Sequence, residues 1–497
     1  MTCILLNHNY INEVQTVTQL FFPGNSFTSV NKRPNQYSPG YVIETYVDEK
    51  TASAKVIKDG VAVAEHVLSV DALPLHLSPR RVLMLAMYHA LQSAVGAYTP
   101  WGALTGIRPS KMVREWLDCG YSHEKIRALM ADPFCCTPDK ARLALEVAEA
   151  EIKINSIIAA APVISAAPVI ATAPVIAGLT RNLQTPIGIY ISIPFCPTRC
   201  VYCSFNVDHK PAAKNIEEQY IAKLIQECTA QAQRLRELGG TLSSIYIGGG
   251  TPTALPENLL EQLLDAVAVS FNPQPGLEFS VEAGRPDTFT KSKLALLRRY
   301  GVNRIAVNPQ TLNDNTLAII GRKHTAADFF RAFDMARDAG FECINTDIIA
   351  GLPGETPCDM RRTMEGIAAL SPENITVHTL AVKRASRLNA TLASYALPDA
   401  KTTETMLGIA SDICQSAGLK PYYLYRQKNM VGMFENIGYS KPGHECLYNV
   451  GMMAEVQTIL GIGAGAVSKF VDVANNKIHR EFNVKNPEIY VERNQQP

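Results

Sequence analysis

The sequence predicts an α/β protein: a partial parallel (β/α)6 TIM-like barrel, with an N-terminal α+β domain and a C-terminal α+β cap. Two observations carry that expectation. From residue 185 onward, short apolar runs alternate with helical periods, six times in succession. Just before them lies an uncharged stretch punctuated by three prolines, which reads as a separator. The expected division is 1–153 for the N-terminal domain and 154–184 for an apolar Pro-repeat linker, then 185–384 for the barrel and 385–497 for the C-terminal domain. A chain of 497 residues has length for roughly three domains.

In the first domain, Tyr41, Ile43, Thr45 and Val47, then Ala54, Val56 and Val61, alternate as strands do, with Lys58-Asp59-Gly60 as the turn. Ser78 followed by Pro79 marks a helix start. The linker holds the repeat APVISA, APVIAT, APVIAG, with Pro162, Pro168 and Pro174 spaced six apart. Those prolines break any helix that would cross a bilayer and favour an extended connector, so no membrane span is expected.

After the linker, the strand candidates are IGIYISI (187–193), SSIYIG (243–248), LEFSVEA (277–283), NRIAVN (303–308), ECINTDIIAG (342–351) and NITVHTL (374–380). Between the first two, Ile216, Tyr220, Leu224, Leu235 and Leu238 line a helix that stops at Gly239-Gly240. Leu259, Leu260, Leu263 and Leu264 line the next, and further helices fall near 287–300, 325–339 and 358–370. Strands alternating with helices call for a parallel sheet with right-handed crossovers, and an active site at the C-terminal strand ends. Past residue 385, a helix carries Met406, Ile409 and Ile413, followed by YYLYRQKNM (422–430) and GIGAGAVSKF (461–470).

Composition narrows the function. Lys plus Arg total 47 and Asp plus Glu 46, a balance that argues against a basic nucleic-acid binder. Twelve cysteines in 497 residues are too sparse for a disulfide scaffold, and MTCILLNHNY lacks the pattern of a secretory signal, so a reducing cytoplasm is expected. Neither a Rossmann fingerprint after a strand, nor a P-loop, nor a serine-hydrolase elbow is present.

The chemistry concentrates in YISIPFCPTRCVYC (190–203), where Cys196, Cys200 and Cys203 leave the first barrel strand with three and then two residues between them. Three thiolates on a loop of this size suit three corners of a [4Fe–4S] cubane, leaving one iron open for a chelating molecule. Structural zinc would want a fourth ligand, for which His209 is the nearby option.

This loop resembles the motif of the radical S-adenosylmethionine (SAM) superfamily. The wider pattern, from about Tyr190 to Phe470, is similar to the oxygen-independent coproporphyrinogen III oxidase group, which includes haem chaperones. The N-terminal extension and ENIGYSKPGHECLYN (435–449) look like its HemZ-type branch. The resemblance implies a radical SAM barrel, a [4Fe–4S] cluster and SAM as cofactors, and a tetrapyrrole substrate. It also implies an electron donor for the cluster and an external electron acceptor. Carried over residue by residue, it makes Cys196, Cys200 and Cys203 the metal ligands. Gly249, Gly250 and Thr251 in GGGTP would hold the methionine moiety, with Glu282, Gln310, Arg322, Asp347 and Ala381 as further SAM contacts and Tyr190 and Tyr202 as cluster-flanking aromatics. Arg322 follows Gln310 by 12 residues and Asp347 follows Arg322 by 25, as in the group. In the oxidases a further cysteine stands where this chain has Phe205, a departure shared with the chaperone branch.

Three activities follow as expectations: oxidative decarboxylation of coproporphyrinogen III propionates to vinyls, giving protoporphyrinogen IX; haem binding or delivery; and another radical SAM reaction on a tetrapyrrole. Arg199, Arg304 and Lys323 are candidate partners for substrate carboxylates. His378, His444 and Cys446 are candidate haem-iron ligands, and Tyr422, Tyr423 and Tyr425 a candidate macrocycle platform or core packing.

Overall fold

The computed structural model describes residues 1–71, 77–106, 108–160, 186–204, 215–383, 385–427, 429–472, 475 and 477–493. Two compact units emerge, Met1–Leu145 and Glu146–Pro497.

The first unit is α+β. Its sheet contains β1 (Thr2–Leu6), β2 (Thr28–Val30), β3 (Tyr41–Val47), β4 (Thr51–Lys58) and β5 (Val61–Ser69), in the order β2-β1-β3-β4-β5. The alternation read for β3 to β5 builds an antiparallel meander. Asp59 and Gly60 both take positive φ (50° and 83°), as a tight hairpin turn demands. The helix Pro79–Val95 starts after Ser78 as expected, although the Ser78 hydroxyl makes no capping bond. It packs on β4 and β5.

The helix Pro138–Ala159 runs through the expected linker start at 154. No proline interrupts it before Pro162, and Ile154 and Ile158, one turn apart, are buried with Tyr422, Tyr423 and Tyr448. The boundary at 153/154 is therefore corrected. Residues 161–184, with the APVI repeat, lie outside the described residues.

The second unit is built on one eleven-stranded sheet. Six strands follow the expected order: β6 (Pro186–Ile193), β7 (Thr241–Gly249), β8 (Glu278–Val281), β9 (Arg304–Ala306), β10 (Cys343–Ala350) and β11 (Asn374–Thr379). Each pairs in parallel with the next. Helices Ile216–Glu237, Glu257–Phe271, Lys291–Arg299, Ala326–Asp338 and Pro357–Ala369 connect them. With helices covering it, the sheet buries nearly all of β6, so that strand reads as a continuous apolar run.

The C-terminal cap expected as a separate domain is instead part of this sheet. β12 (Lys420–Tyr425) and β13 (Asn436–Ser440) continue it past β11 as antiparallel strands. On the other side β14 (Thr458–Ile462) pairs in parallel with β6, then β15 (Val467–Asp472) and β16 (Lys477–Phe482) follow antiparallel. The physical reason is edge satisfaction. β6 and β11 would each expose a row of unpaired backbone groups, and the C-terminal segment covers both. The strand order runs from β12 to β16 without closing, so the barrel is partial. Among the described residues, no helix is long and apolar enough to cross a membrane.

Candidate active site

Parallel strands deliver their loops to one end, and those loops enclose a cavity of about 340 Å³. Cys196, Cys200 and Cys203 line it, on the loop after β6, none of them in a disulfide. So do Tyr202, Gly249, Gly250, Thr251, Glu282, Gln310, Arg322, Asp347 and Ala381. Residues scattered over nearly 190 positions of the chain thus meet because parallel strands bring their C-terminal ends and the loops beyond them to one side.

The GGGTP segment acts on the cysteine loop. Gly250 N donates to Ile193 O at 2.7 Å and Thr251 N to Phe195 O at 2.8 Å. A Cβ on Gly250 would stand 2.5 Å from Phe195 O and 2.8 Å from Ile193 O, both backbone, so only glycine permits this approach. The Thr251 hydroxyl lies 3.2 Å from Cys196 Sγ. The backbone N–H groups of Gly250 and Thr251 are therefore spent on shaping the loop. Gly249, Gly250 and Thr251 still line the cavity, where their carbonyls and the close backbone approach remain for a ligand.

Burial pushes the Cys196 thiol up to about 11, against the pull of the Thr251 hydroxyl and the Arg285 charge. Metal coordination deprotonates such a thiol outright. Among the described residues, no group of three or more His, Cys, Asp or Glu side chains is arranged for a single metal ion. A cubane has a different requirement, one thiolate at each of three separate corners. His209 and Phe205 lie outside the described residues.

Around the cavity the polar groups fall into two kinds. Some are held by the fold. Asp347 accepts from Asn308 Nδ2 at 2.9 Å and Asn345 Nδ2 at 2.7 Å, and its Oδ2 is 3.6 Å from His378 Nε2. Burial alone would raise its carboxyl, yet His378, Asn345 and Thr376 hold it below the ordinary carboxylate range. Burial also pushes the Glu282 carboxyl up to about 7, although Tyr246 donates to its Oε1 at 2.5 Å. Arg322 gives Nη2 to Gly284 O at 2.7 Å and Asn308 O at 2.6 Å, and burial pushes the neighbouring Tyr202 phenol up.

Others are unused. Gln310 Oε1, Arg322 Nε and Arg199 Nε are buried with no hydrogen-bond partner among the described residues. Gln310 also sits at φ 69°, a conformation unfavourable for a side-chain-bearing residue, pinned by Gln310 N to Asp347 O and Ile349 N to Gln310 O, each 3.0 Å. Buried orphans around a roomy cavity are what a site for a polar ligand leaves when the protein is considered alone. Thiols, orphaned acceptors and donors together fit a cluster and an amino-acid-like ligand.

Several expected residues lie elsewhere. Tyr190 does not line the cavity. It stacks with Tyr246 (6.3 Å, 27°) and Tyr448 (6.0 Å, 17°). Strand alternation on β6 aims it at this aromatic group rather than at the loop six residues on. Arg304 opens β9 at the opposite end of the sheet, where it donates to Cys343 Sγ at 2.9 Å and His444 O at 2.8 Å, and also to Asn374 Oδ1. Lys323 is exposed and not on the cavity wall, so of the three candidate carboxylate partners only Arg199 is. His444 and Cys446 are likewise at the far end, Cys446 Sγ 3.5 Å from Glu278 Oε1, so only His378 of the three candidate iron ligands reaches the cavity. Tyr422 and Tyr423 are core, while Tyr425 lines the cavity.

Sequence reasoning missed Arg285, Asn308, Lys383 and Gln427. Asn308 stood two residues before Gln310, where strand alternation gave the signal; for Gln427, beyond an antiparallel strand, there was none.

Residues 190–367 match the radical SAM superfamily. With the cysteine loop at the C-terminal ends of a partial parallel barrel, the chain belongs to that superfamily, whose members carry a [4Fe–4S] cluster and SAM. Within it, the chain groups with the oxygen-independent coproporphyrinogen-III oxidase-like proteins. It is 37% identical over 404 residues to HemZ of Bacillus subtilis, covering 81% of this chain and 76% of that protein. It is 32% identical over 283 residues to the haem chaperone HemW of the same organism, covering 56% of this chain and 69% of that one. The solved structure of Escherichia coli coproporphyrinogen III oxidase, HemN, shares the fold with a TM-score of 0.50 at 23% identity, over 63% of this chain and 70% of that one.

Proposed function

We propose that the protein is an oxygen-independent radical SAM enzyme of porphyrin biosynthesis, converting propionates of coproporphyrinogen III to the vinyls of protoporphyrinogen IX. The observation that carries this reading is the single cavity in which Cys196, Cys200 and Cys203 meet Glu282, Gln310, Arg322 and Asp347. The names of its HemZ and HemN relatives suggest the substrate class.

When bound, the cluster and SAM supply the hydrogen-abstracting chemistry. The chain's own residues do the holding. Cys196, Cys200 and Cys203 are the cluster ligands in this reading. Gln310 Oε1, which lacks a partner among the described residues, and Glu282 in its ionised form are acceptors for an ammonium group. Arg322 Nε is the donor left for a carboxylate. Asp347, held ionised and aimed by Asn308, Asn345 and His378, keeps lone pairs for ribose hydroxyls. Arg199, on the wall and with Nε unpaired, faces a propionate. Each propionic acid group converted would lose carbon dioxide and two hydrogens, with the cofactors supplying the hydrogen abstraction and an external acceptor taking the remaining electron.

Anaerobic incubation of the reconstituted protein with SAM, reductant, an acceptor and coproporphyrinogen III tests this by product mass. Loss of carbon dioxide plus two hydrogens per propionate is the expected result. SAM cleavage with an unchanged tetrapyrrole mass overturns it. A haem-handling role is the second reading, favoured by the similarity to HemW and by His378 on the cavity wall. It predicts a Soret shift on adding haem that is lost in His378→Ala. Against it, His378 is already engaged with Asp347.

A further inference from the structure

The turn after β8 carries a charged pair behind the cysteine loop for which substrate and SAM binding give no use. Arg285 is 3% exposed. One edge of its guanidinium is locked onto Asp287, with Nε to Oδ1 at 3.0 Å and Nη2 to Oδ2 at 3.1 Å. A bidentate pair fixes the plane of the fork, so the remaining nitrogen has a fixed direction. That nitrogen, Nη1, points at the cysteine loop, 3.4 Å from Thr198 O and 3.9 Å from Cys200 Sγ. The backbone is also braced: Arg285 N donates to Ala283 O at 2.6 Å, and the Thr288 hydroxyl to Arg285 O at 2.8 Å. One short segment, VEAGRPD (281–287), thus brings both Glu282 and Arg285 to the cavity wall, Arg285 against the cysteine loop.

A buried positive charge beside a cluster thiolate is weakly screened. It favours whichever state of the cluster carries more negative charge, which is the reduced one. Net charge and hydrogen bonds to the sulfurs are among the levers that set an iron–sulfur potential. Lysine could not replace the fork, because a point charge cannot bond Asp287 twice and reach Thr198 as well.

We propose that Arg285, aimed by Asp287, is a positioning residue for the iron–sulfur cluster: it anchors the cysteine loop through Thr198 and raises the cluster's reduction potential through its charge at Cys200. The inference rests on Cys196, Cys200 and Cys203 being the cluster ligands, which loss of iron from Cys200→Ala tests separately.

The experiment is a redox titration of the reconstituted full-length protein without SAM, read by EPR of the reduced cluster, with iron content measured alongside. Arg285→Gln keeps donors but removes the charge. Its midpoint moves to more negative potential, with a reduced-to-oxidised ratio about tenfold lower at the wild-type midpoint, equivalent to about 59 mV for one electron. Arg285→Lys restores part of the shift. Asp287→Asn removes the compensating negative charge and moves the midpoint the other way. Opposite signs are the signature, since simple loosening of the loop would not reverse between the two variants. An unchanged midpoint in Arg285→Gln, or shifts of one sign in both, overturns the proposal. If Arg285→Gln fails to hold iron, Asp287→Asn decides alone: a positive shift supports the proposal, and no shift or a negative one overturns it. Loss of the cluster from both leaves Arg285 a structural role only and overturns the tuning role.

Discussion

The two ends of the parallel strands are built from the same kinds of side chain and behave differently. At the N-terminal ends, Arg304, Glu278, Asn374, Cys343 and Cys446 interlock. Glu278 accepts from Leu447 N at 2.7 Å and Tyr448 N at 2.8 Å, so a carboxylate caps the helix Leu447–Ala454, and Asn374 Nδ2 donates to Ser440 Oγ at 2.7 Å. Here donors and acceptors satisfy one another within the chain. At the C-terminal ends, a glutamine oxygen and two guanidinium nitrogens have no partner among the described residues, around a cavity that three thiols line. The lesson is that a buried arginine or cysteine does not announce its role by type. The far end is closed because its groups complete one another, and the near end is open because a ligand must complete it.

The largest expected contrast is between cysteines. Cys200→Ala removes a cluster ligand and abolishes both the iron–sulfur absorbance and SAM cleavage. Cys446→Ala, at the closed end, costs about 1 kcal/mol of stability and leaves both intact. Loss of iron from Cys446→Ala would break the distinction.

Next comes charge. Arg304→Met strands Glu278 and Asn374 and destabilises the fold by about 3–5 kcal/mol. Chemical denaturation should show the loss, while the folded protein still loads iron. If stability were unchanged and substrate affinity fell instead, Arg304 would belong to the substrate site after all.

At the open end, Asp347→Asn removes a charged acceptor. SAM should bind about ten- to a hundredfold more weakly by calorimetry, from the usual worth of a hydrogen bond to a charged group. Iron content should be untouched.

The smallest effect is on pH. Glu282, pushed up to about 7 by burial, takes a proton as pH falls through that value and stops accepting from an ammonium group. SAM affinity should therefore weaken as pH drops below about 7, with the slope flattened in Glu282→Gln. The stability linkage has its own sign. The unfolded chain releases this proton near pH ~4.3 and the folded chain only near 7. The buried carboxyl thus destabilises progressively between those values and fully above them. Glu282→Gln should gain in Tm relative to the parent at about pH 8, with the gain vanishing at about pH 4. A gain independent of pH would point to packing instead.

Much of the open end was legible in the sequence, because its signals are local. The cysteine spacing lies within one loop, and the strands 187–193 to 374–380 announced themselves by short apolar runs separated by helical periods. Glu282, Gln310 and Asp347 were placed by the resemblance, whose order along successive strands this chain matches, and the cavity brings them together. What was not legible depends on partners far away in sequence. β14, TILGI, is buried throughout and shows no alternation, and its pairing with β6 spans some 270 positions. The closed end was misread for the same reason. Arg304 and Cys446 look reactive alone, and only the fold brings Asn374 and Glu278 to bond them. Tyr190, carried over from the resemblance as a cluster-flanking aromatic, stands in a ring stack with Tyr246 and Tyr448, six residues before the first cysteine. Arg285 gave no signal, because its target sits 85 positions earlier.

In this reading the open strand ends hold a cluster with one iron left for SAM. EPR of the reduced, reconstituted protein before and after adding SAM tests it most directly. The account predicts a [4Fe–4S]⁺ signal that changes on SAM addition in the parent, and that is absent from Cys196→Ala, Cys200→Ala and Cys203→Ala alike. A cluster signal indifferent to SAM, or one that survives replacement of Cys200, would contradict it.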